Sequence, residues 1–237
     1  METLSAPRTL FFQDLHAGLR VRGRWHADHP FLKDLADGKA PIEQLKRWII
    51  EMYIRVEKAV PLFGVVYANC PDPEGRKEIF DNLVEEERGL FSGTEGHLIL
   101  LRRYANALGT TQREWDKVAR NLSLETRAMM WFEHDHAHTR PWYVWFSAVG
   151  IGEEAQVPHY FGTVAEASRK HYGVTKDEDL MFWTVHISVD EGHGDVTENL
   201  VARHLKTSAQ EEEIRRAVFD LAELVYDQMT AATRDER

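Results

Sequence analysis

The sequence predicts an all-α fold, a single bundle of seven to eight helices. Three observations carry this expectation. Apolar residues recur every three or four positions in each long segment. No stretch alternates with a period of two, and no hairpin signal occurs. Glycine and proline fall between the periodic segments and punctuate them. At 237 residues the chain is long enough for one sizeable core. With no internal repeat and no low-complexity linker, residues 1–237 are expected to form one domain with loose ends at 1–8 and 233–237.

Taken in order, Thr9 to Arg20 carries Leu10, Phe11, Leu15 and Leu19 at helical spacing, and Asp28-His-Pro-Phe31 ends it. Phe31 to Ala36 forms a short second helix before Asp37-Gly38. Pro41 opens a long helix, Ile42 to Cys70, with an apolar stripe of Leu45, Ile49, Met52, Val56 and Val60 and a kink expected at Pro61. Glu74 to Arg88 is helical and stops at Gly89, and the glycine-rich stretch from Leu90 to Gly96 reads as a loop. His97 to Leu108 restarts a helix. Thr111 with Glu114 three residues later has the pattern of a capping box for Thr111 to Ala119. Leu122 to Phe132 continues helical up to the histidine-rich Glu133-His-Asp-His-Ala-His138. Glu153 to Tyr172 reads as a helix with Pro158 one turn in, Asp177 to Leu205 as one long helix, and Ala209 to Ala232 as the last.

Composition narrows the function. A net charge of −10 argues against a nucleic-acid or anionic-membrane partner, which needs a basic surface. The single cysteine, Cys70, excludes an internal disulfide and suits a reducing cytoplasm. The stretch from Met1 to Leu15 has no signal-peptide pattern, and no apolar run approaches the length that spans a bilayer. A soluble, cytoplasmic protein is expected.

Candidate chemistry centres on Trp183-Thr-Val-His-Ile-Ser-Val-Asp-Glu-Gly-His193. At about 100° per residue, His186, Asp190 and His193 share a narrow sector of one helix face. Two imidazoles and a carboxylate so placed suit a transition metal with open positions, and a buried polar network uses the same pattern. Glu57 and Glu154 each lie four residues before a proline, Pro61 and Pro158, where the backbone is perturbed. Surface glutamates beside unrelated prolines would show the same offset. Of the run Glu85-Glu-Glu87, at least two are expected to be exposed. Glu86 is the one to turn inward, with Leu83 and Leu90 on its face, and His97 opens the next helix within reach of it.

Those seven residues in order, Glu57, Glu86, His97, Glu154, His186, Asp190 and His193, resemble the ligand set of the haem-oxygenase-like diiron oxidases. These are seven- or eight-helix relatives of the thiaminase TenA and of pyrroloquinoline-quinone synthase, PqqC. His29-Pro-Phe with Gly38, and Ala68-Asn-Cys-Pro-Asp72 with Arg76, are similar to PqqC. Asn82-Leu-Val-Glu-Glu-Glu-Arg-Gly89 and the final HxxxDxxH are similar to the di-iron branch that includes the Chlamydia protein associating with death domains, a para-aminobenzoate-forming oxygenase. Three departures stand out. The loop between Glu86 and His97 is longer, which keeps Glu87 as a substitute for Glu86. Glu153 stands where an aromatic is expected before the fourth acid. The polar quinone pocket of PqqC is not recognisable.

The resemblance implies two iron ions (Fe2+/Fe3+), or a Mn/Fe pair, with O2 as co-substrate. Carboxylates and imidazoles without a thiolate suit those metals better than a closed zinc site. It implies an oxidase or oxygenase acting on a small molecule, such as an amino acid or amine in specialised metabolism or cofactor biosynthesis. An external electron donor and a homodimer are compatible with it. The alternatives are a metal-free pocket enzyme of the PqqC or TenA kind and a non-catalytic metal-binding protein. Glu133 to His138 is expected to be exposed or capping, and the aromatic run Trp131, Phe132, Trp142, Tyr143, Trp145 and Phe146 to be core. Cys70 reads as a small buried hydrophobe, and His16, His26, His29, His159, His171 and His204 as ordinary histidines.

Overall fold

Helical periodicity carries through to the tertiary structure. The computed structural model describes residues 6–189 and 193–234, with all their side chains except those of 6–8, 188–189 and 193–195. The described residues contain no strand. The helices are α1 (Ala6–Leu19), α2 (Pro30–Ala36), α3 (Ile42–Asn69), α4 (Pro73–Arg88), α5 (His97–Ala107) and α6 (Gln112–Arg120), then α7 (Leu124–Thr139), α8 (Trp142–Ser147), α9 (Phe161–His171), α10 (Asp177–Val189), α11 (His193–Ala202) and α12 (Ser208–Ala232). No described helix is long and apolar enough to cross a membrane.

Local chemistry accounts for most of the boundaries. Thr111 and Glu114 form the reciprocal capping box of α6, and Thr207 with Gln210 does the same for α12. Pro30 and Pro73 stand in the first turns of α2 and α4, where a missing N–H costs nothing. The α4 helix ends at Gly89 with φ of 58°, a left-handed conformation that glycine adopts without steric cost. One contiguous apolar cluster fills the interior, with α3 and α12 crossing it and Trp48, Trp145 and Trp183 fully buried at its heart. Of the aromatic run, Phe132, Trp142, Trp145 and Phe146 are core, whereas Trp131 is 69% exposed. Cys70 is buried.

Pro61 lies inside α3, as expected, and does not end it. Two segments differ from the sequence expectation. The α7 helix runs through the histidine-rich stretch to Thr139, so the phase of the helix sorts that stretch by side. Glu133 and Ala137 turn inward, while His134 and His138 stack on each other outside, 4.1 Å apart. The expected helix from Glu153 to Tyr172 is replaced by a π-helical run at Ala148–Glu153 and a 3-10 run at Glu154–His159 before α9. Pro158 has no N–H to give the Glu154 carbonyl and would crowd it, so the backbone leaves the α-helical ladder there. Of the expected helix Asp177 to Leu205, Asp177–Val189 and His193–Ala202 are helical, and residues 190–192 lie outside the described residues.

The π-helical run is packed against α12 by a close backbone approach. A Cβ on Gly152 would lie 2.7 Å from the Val218 carbonyl oxygen, so only glycine fits. Gln156 ties the same run to the start of the chain. Its amide donates to Gly152 O at 2.8 Å, and its oxygen accepts from the His26 backbone N–H at 3.0 Å.

His26 and His29 are not surface histidines. The His26 Nε2–H donates to Ala222 O at 3.0 Å, and buried Nδ1 has no hydrogen-bond partner among the described residues. A second proton would therefore sit on Nδ1 without an acceptor. Burial pushes His26 from its ordinary 6.5 down to about 4, and burial, with His26 nearby, does the same to His29. The unfolded imidazoles therefore take up protons first. Their contribution to stability is complete above about pH 6.5 and is lost as the pH falls from there toward 4. Urea unfolding followed at neutral and mildly acidic pH should show a drop of up to roughly 3 kcal/mol from His26 alone, and His26→Gln should flatten that slope.

Candidate metal centre

Three side chains from three helices converge. Glu86 is in the last turn of α4, His97 is the first residue of α5, and His186 is on α10. One ligand atom from each can be chosen so that all lie within 4.8 Å of one another. His97 Nδ1 is 2.9 Å from Glu86 Oε1, and because a carboxylate can only accept, Nδ1 carries the proton. His186 Nδ1 is 2.6 Å from Phe182 O, so it too donates, which leaves the lone pair of the neutral ring on Nε2. The two imidazole rings stand 4.3 Å apart.

The loop from 89 to 96 brings Glu86 and His97 together. Glu85 organises that loop: its carboxylate accepts the Phe91 N–H at 2.7 Å and the Ser92 N–H at 3.3 Å. The expectation that two of the three consecutive glutamates are exposed is corrected here. Glu85 is buried beneath the returning loop, Glu86 is half-buried on His97, and only Glu87 is exposed. Burial alone would raise the Glu85 carboxyl, but the Ser92 and Phe91 hydrogen bonds outweigh it and hold it below its ordinary range. Burial is likewise outweighed at Glu86 by His97, which lowers the carboxyl, and at His97 by Glu86, which raises the imidazole.

These residues line a cavity of about 990 Å³, counting its open mouth. Its walls are mostly apolar, with Trp48, Met52 and Phe63 from α3, Trp145 from α8, and Phe161 and Phe182 from α9 and α10. Glu154 lines it, at the turn where the π-helical run gives way to the 3-10 run. Glu57 does not reach it. That side chain is on the outer face of α3, 47% exposed and 3.1 Å from Lys58. The inward stripe of α3 runs through Met52, Arg55, Val56, Ala59 and Val60, and one residue beyond Val56 is rotated about 100° off that stripe. Asp190 lies outside the described residues, as does the side chain of His193, the first residue of α11.

The sequence reading missed three charged residues of this cavity. Arg55, 6% exposed, is clamped between Glu133 and Glu153. Its Nε and Nη2 donate to Glu133 Oε1 at 3.0 and 2.6 Å, and its Nη1 donates to Glu153 Oε1 at 2.6 Å, with a further bond from Nη2 to Glu153 Oε2. Burial pushes the Glu133 carboxyl up despite the guanidinium beside it. Burial would lower Arg55, but the two carboxylates raise it above its ordinary value. The glutamate found in place of an aromatic before Glu154 thus has a partner 98 residues away in sequence.

The donor set fits a hard divalent metal. His97 Nε2 is buried, lies 3.3 Å from Glu85 Oε1 and makes no hydrogen bond with a described residue, although buried nitrogens are rarely left so. Two imidazoles and a carboxylate, with no thiolate among the three, suit iron or manganese. Residues 46–226 match the profile of a haem-oxygenase-like family described as iron-containing redox enzymes. The chain belongs to that family. It is an oxidoreductase with the all-α haem-oxygenase-like fold.

Relatives of this haem-oxygenase-like oxidoreductase include two kinds of biosynthetic enzyme. It is 23% identical to the 4-aminobenzoate synthase of Chlamydia trachomatis over 198 residues, covering 81% of this chain and 80% of that one. It is 24% identical to the 4-aminobenzoate synthase of Nitrosomonas europaea, covering 90% and 94%. A shorter match, 29% identical, joins it to the pyrroloquinoline-quinone synthase of Ectopseudomonas mendocina over 43% of this chain and 40% of the relative. In structure it is similar to a TenA homologue from Pseudomonas syringae, with a TM-score of 0.81, 13% identity and 98% of each chain covered.

Proposed function

We propose that this chain is a non-haem iron oxidase or oxygenase that uses O2 to transform a small molecule, with two iron ions, or Mn/Fe, held in the cavity. The observation that carries the proposal is the convergence of Glu86, His97 and His186 on a largely apolar cavity. Glu86, His97 and His186 would hold metal, with Glu154 beside them, and the sequence adds Asp190 and His193 to the set. The synthase names of the relatives support a place in the biosynthesis of a cofactor or a specialised metabolite.

When bound, the metal supplies the electrons and the O2 chemistry; the protein supplies position and a dry site. Phe182 O fixes the tautomer and tilt of His186, and Glu86 does so for His97. The aromatic walls keep bulk water from the reacting atoms. Glu85, committed to the Phe91 and Ser92 amides, holds the loop that sets the distance between Glu86 and His97.

The test is metal stoichiometry after anaerobic loading with ferrous iron, followed by Mössbauer spectra before and after O2. About two irons per chain converting to a coupled diferric form is the expected result. Folded protein that binds no iron overturns the proposal. Turnover surviving exhaustive chelation would point to a metal-free pocket enzyme, and bound iron inert to O2 to a non-catalytic metal protein.

A further inference from the structure

Glu154 lines the cavity from a place where no α-helical ladder holds the backbone. The π-helical run ends at Glu153, the 3-10 run begins at Glu154, and Pro158 has no N–H to return to the Glu154 carbonyl. In a regular helix the ladder itself aims each side chain. Here the aim depends on what grips the turn from outside. We propose that Arg55 is a positioning residue for the metal centre: its guanidinium, anchored on Glu133, grips Glu153 and so aims the adjacent Glu154 at the metal. This rests on the reading above that the cavity holds metal and that Glu154 is among its ligands.

The grip has two prongs. Arg55 Nη1 donates to Glu153 Oε1 at 2.6 Å and Nη2 donates to Oε2, so one guanidinium holds both oxygens of the carboxylate. A forked pair fixes direction as well as distance, which a single ammonium does not. The other end of the guanidinium is fixed too. Its Nε and Nη2 donate to Glu133 Oε1, and both residues are buried, Arg55 on α3 and Glu133 on α7. Those two helices pack directly on each other, so the fork ties the turn to a rigid pair.

The backbone around the turn is held separately. Gly152 lies against the Val218 carbonyl of α12, and Gln156 joins Gly152 O to the His26 N–H. These contacts fix where the turn runs, and the fork fixes the side chain next to Glu154. Arg55, Glu133, Glu153 and Glu154 all line the one cavity with Glu86, His97 and His186. A shift of the turn would therefore be felt at the metal ligands first. Groups that orient a ligand in this way set metal affinity nearly as strongly as the ligands do.

The experiment is anaerobic titration of the metal-free protein with Co2+ at neutral pH, followed by the visible bands of the ion, which report its ligand geometry. Glu153→Ala releases the turn but leaves Arg55 paired with Glu133, so the fold is kept. Its Co2+ affinity should fall about ten- to a hundredfold, with the bands shifted. Glu153→Gln keeps an oxygen for Arg55 and should retain most of the affinity and the parental spectrum. Arg55→Lys keeps the charge but not the fork, and should behave like Glu153→Ala. Should Glu153→Ala not fold, Arg55→Lys against Glu153→Gln makes the same comparison. Parental affinity and bands in Glu153→Ala or Arg55→Lys, or a loss in Glu153→Gln as great as theirs, overturns the proposal. A purely structural role would lower the melting temperature and leave the bands in place. Parent protein that binds no Co2+ overturns the metal reading and this proposal together. Parent protein that binds it beside an indifferent Glu153→Ala overturns only the positioning.

Discussion

His97→Ala should remove metal binding and all O2-dependent turnover while leaving a folded protein. The imidazole is the shared partner of two acids, 2.9 Å from Glu86 and 3.3 Å from Glu85, and its second nitrogen is the one buried ring atom in the cluster with no hydrogen bond to a described residue. Loss of an orienting partner of a ligand already costs about ten- to a hundredfold in metal affinity, and loss of a ligand more than that. Ferrous iron titrated anaerobically into the variant should therefore bind at least about 100-fold more weakly. Far-UV circular dichroism should be unchanged, since His97 starts α5 and its removal breaks no helix interior. The comparison that gives the result meaning is Glu57→Ala. That residue is on the outer face of α3, and its substitution should leave iron binding as it was. A normal iron affinity in His97→Ala would show that the centre is built from other residues.

Arg55→Ala should be the most destabilising single substitution in the cavity. It leaves Glu133 and Glu153 facing each other without their shared guanidinium, and the Glu133 side chain is only 2% exposed. Removing one partner from a buried ion pair costs roughly 3–5 kcal/mol, because the charge left behind has neither water nor a counterion. For a chain of this size that is a fall of roughly 10 °C in melting temperature. The sign has an internal check. Protonation relieves a stranded carboxylate, so the deficit of the variant relative to the parent should narrow as the pH is lowered. A deficit that stays constant across pH would mean lost packing rather than unpaired charge. Arg55→Met combined with Glu133→Leu should recover part of the loss, since an apolar replacement of both partners removes the buried charge instead of exposing it.

The difference between Glu57 and Glu86 shows where reading a sequence stops. Both were candidates on the strength of near neighbours, Pro61 for one and two leucines for the other. A proline four residues away perturbs a carbonyl but does not rotate a side chain, and the α3 stripe alone decides which face is inside. For Glu86 the local argument chose the inward acid, yet the reason it is held there is His97, across a loop that folds back over Glu85. Leu90, used to place it, is itself 61% exposed.

By itself the sequence determined the helices, through apolar periodicity, and many of their ends, through Gly89, Thr111 and the prolines. These are interactions within a turn or two, so they are written in consecutive residues. It also marked the family through the order and spacing of acids and histidines along the chain. The tertiary structure alone decided which carboxylates share the cavity. It also decided that Glu85 is a loop clamp, that Glu57 is outside, and that Arg55 stands between Glu133 and Glu153. Pairings across 78 and 98 residues depend on how helices pack, and a charge has no period along the chain to announce its partner.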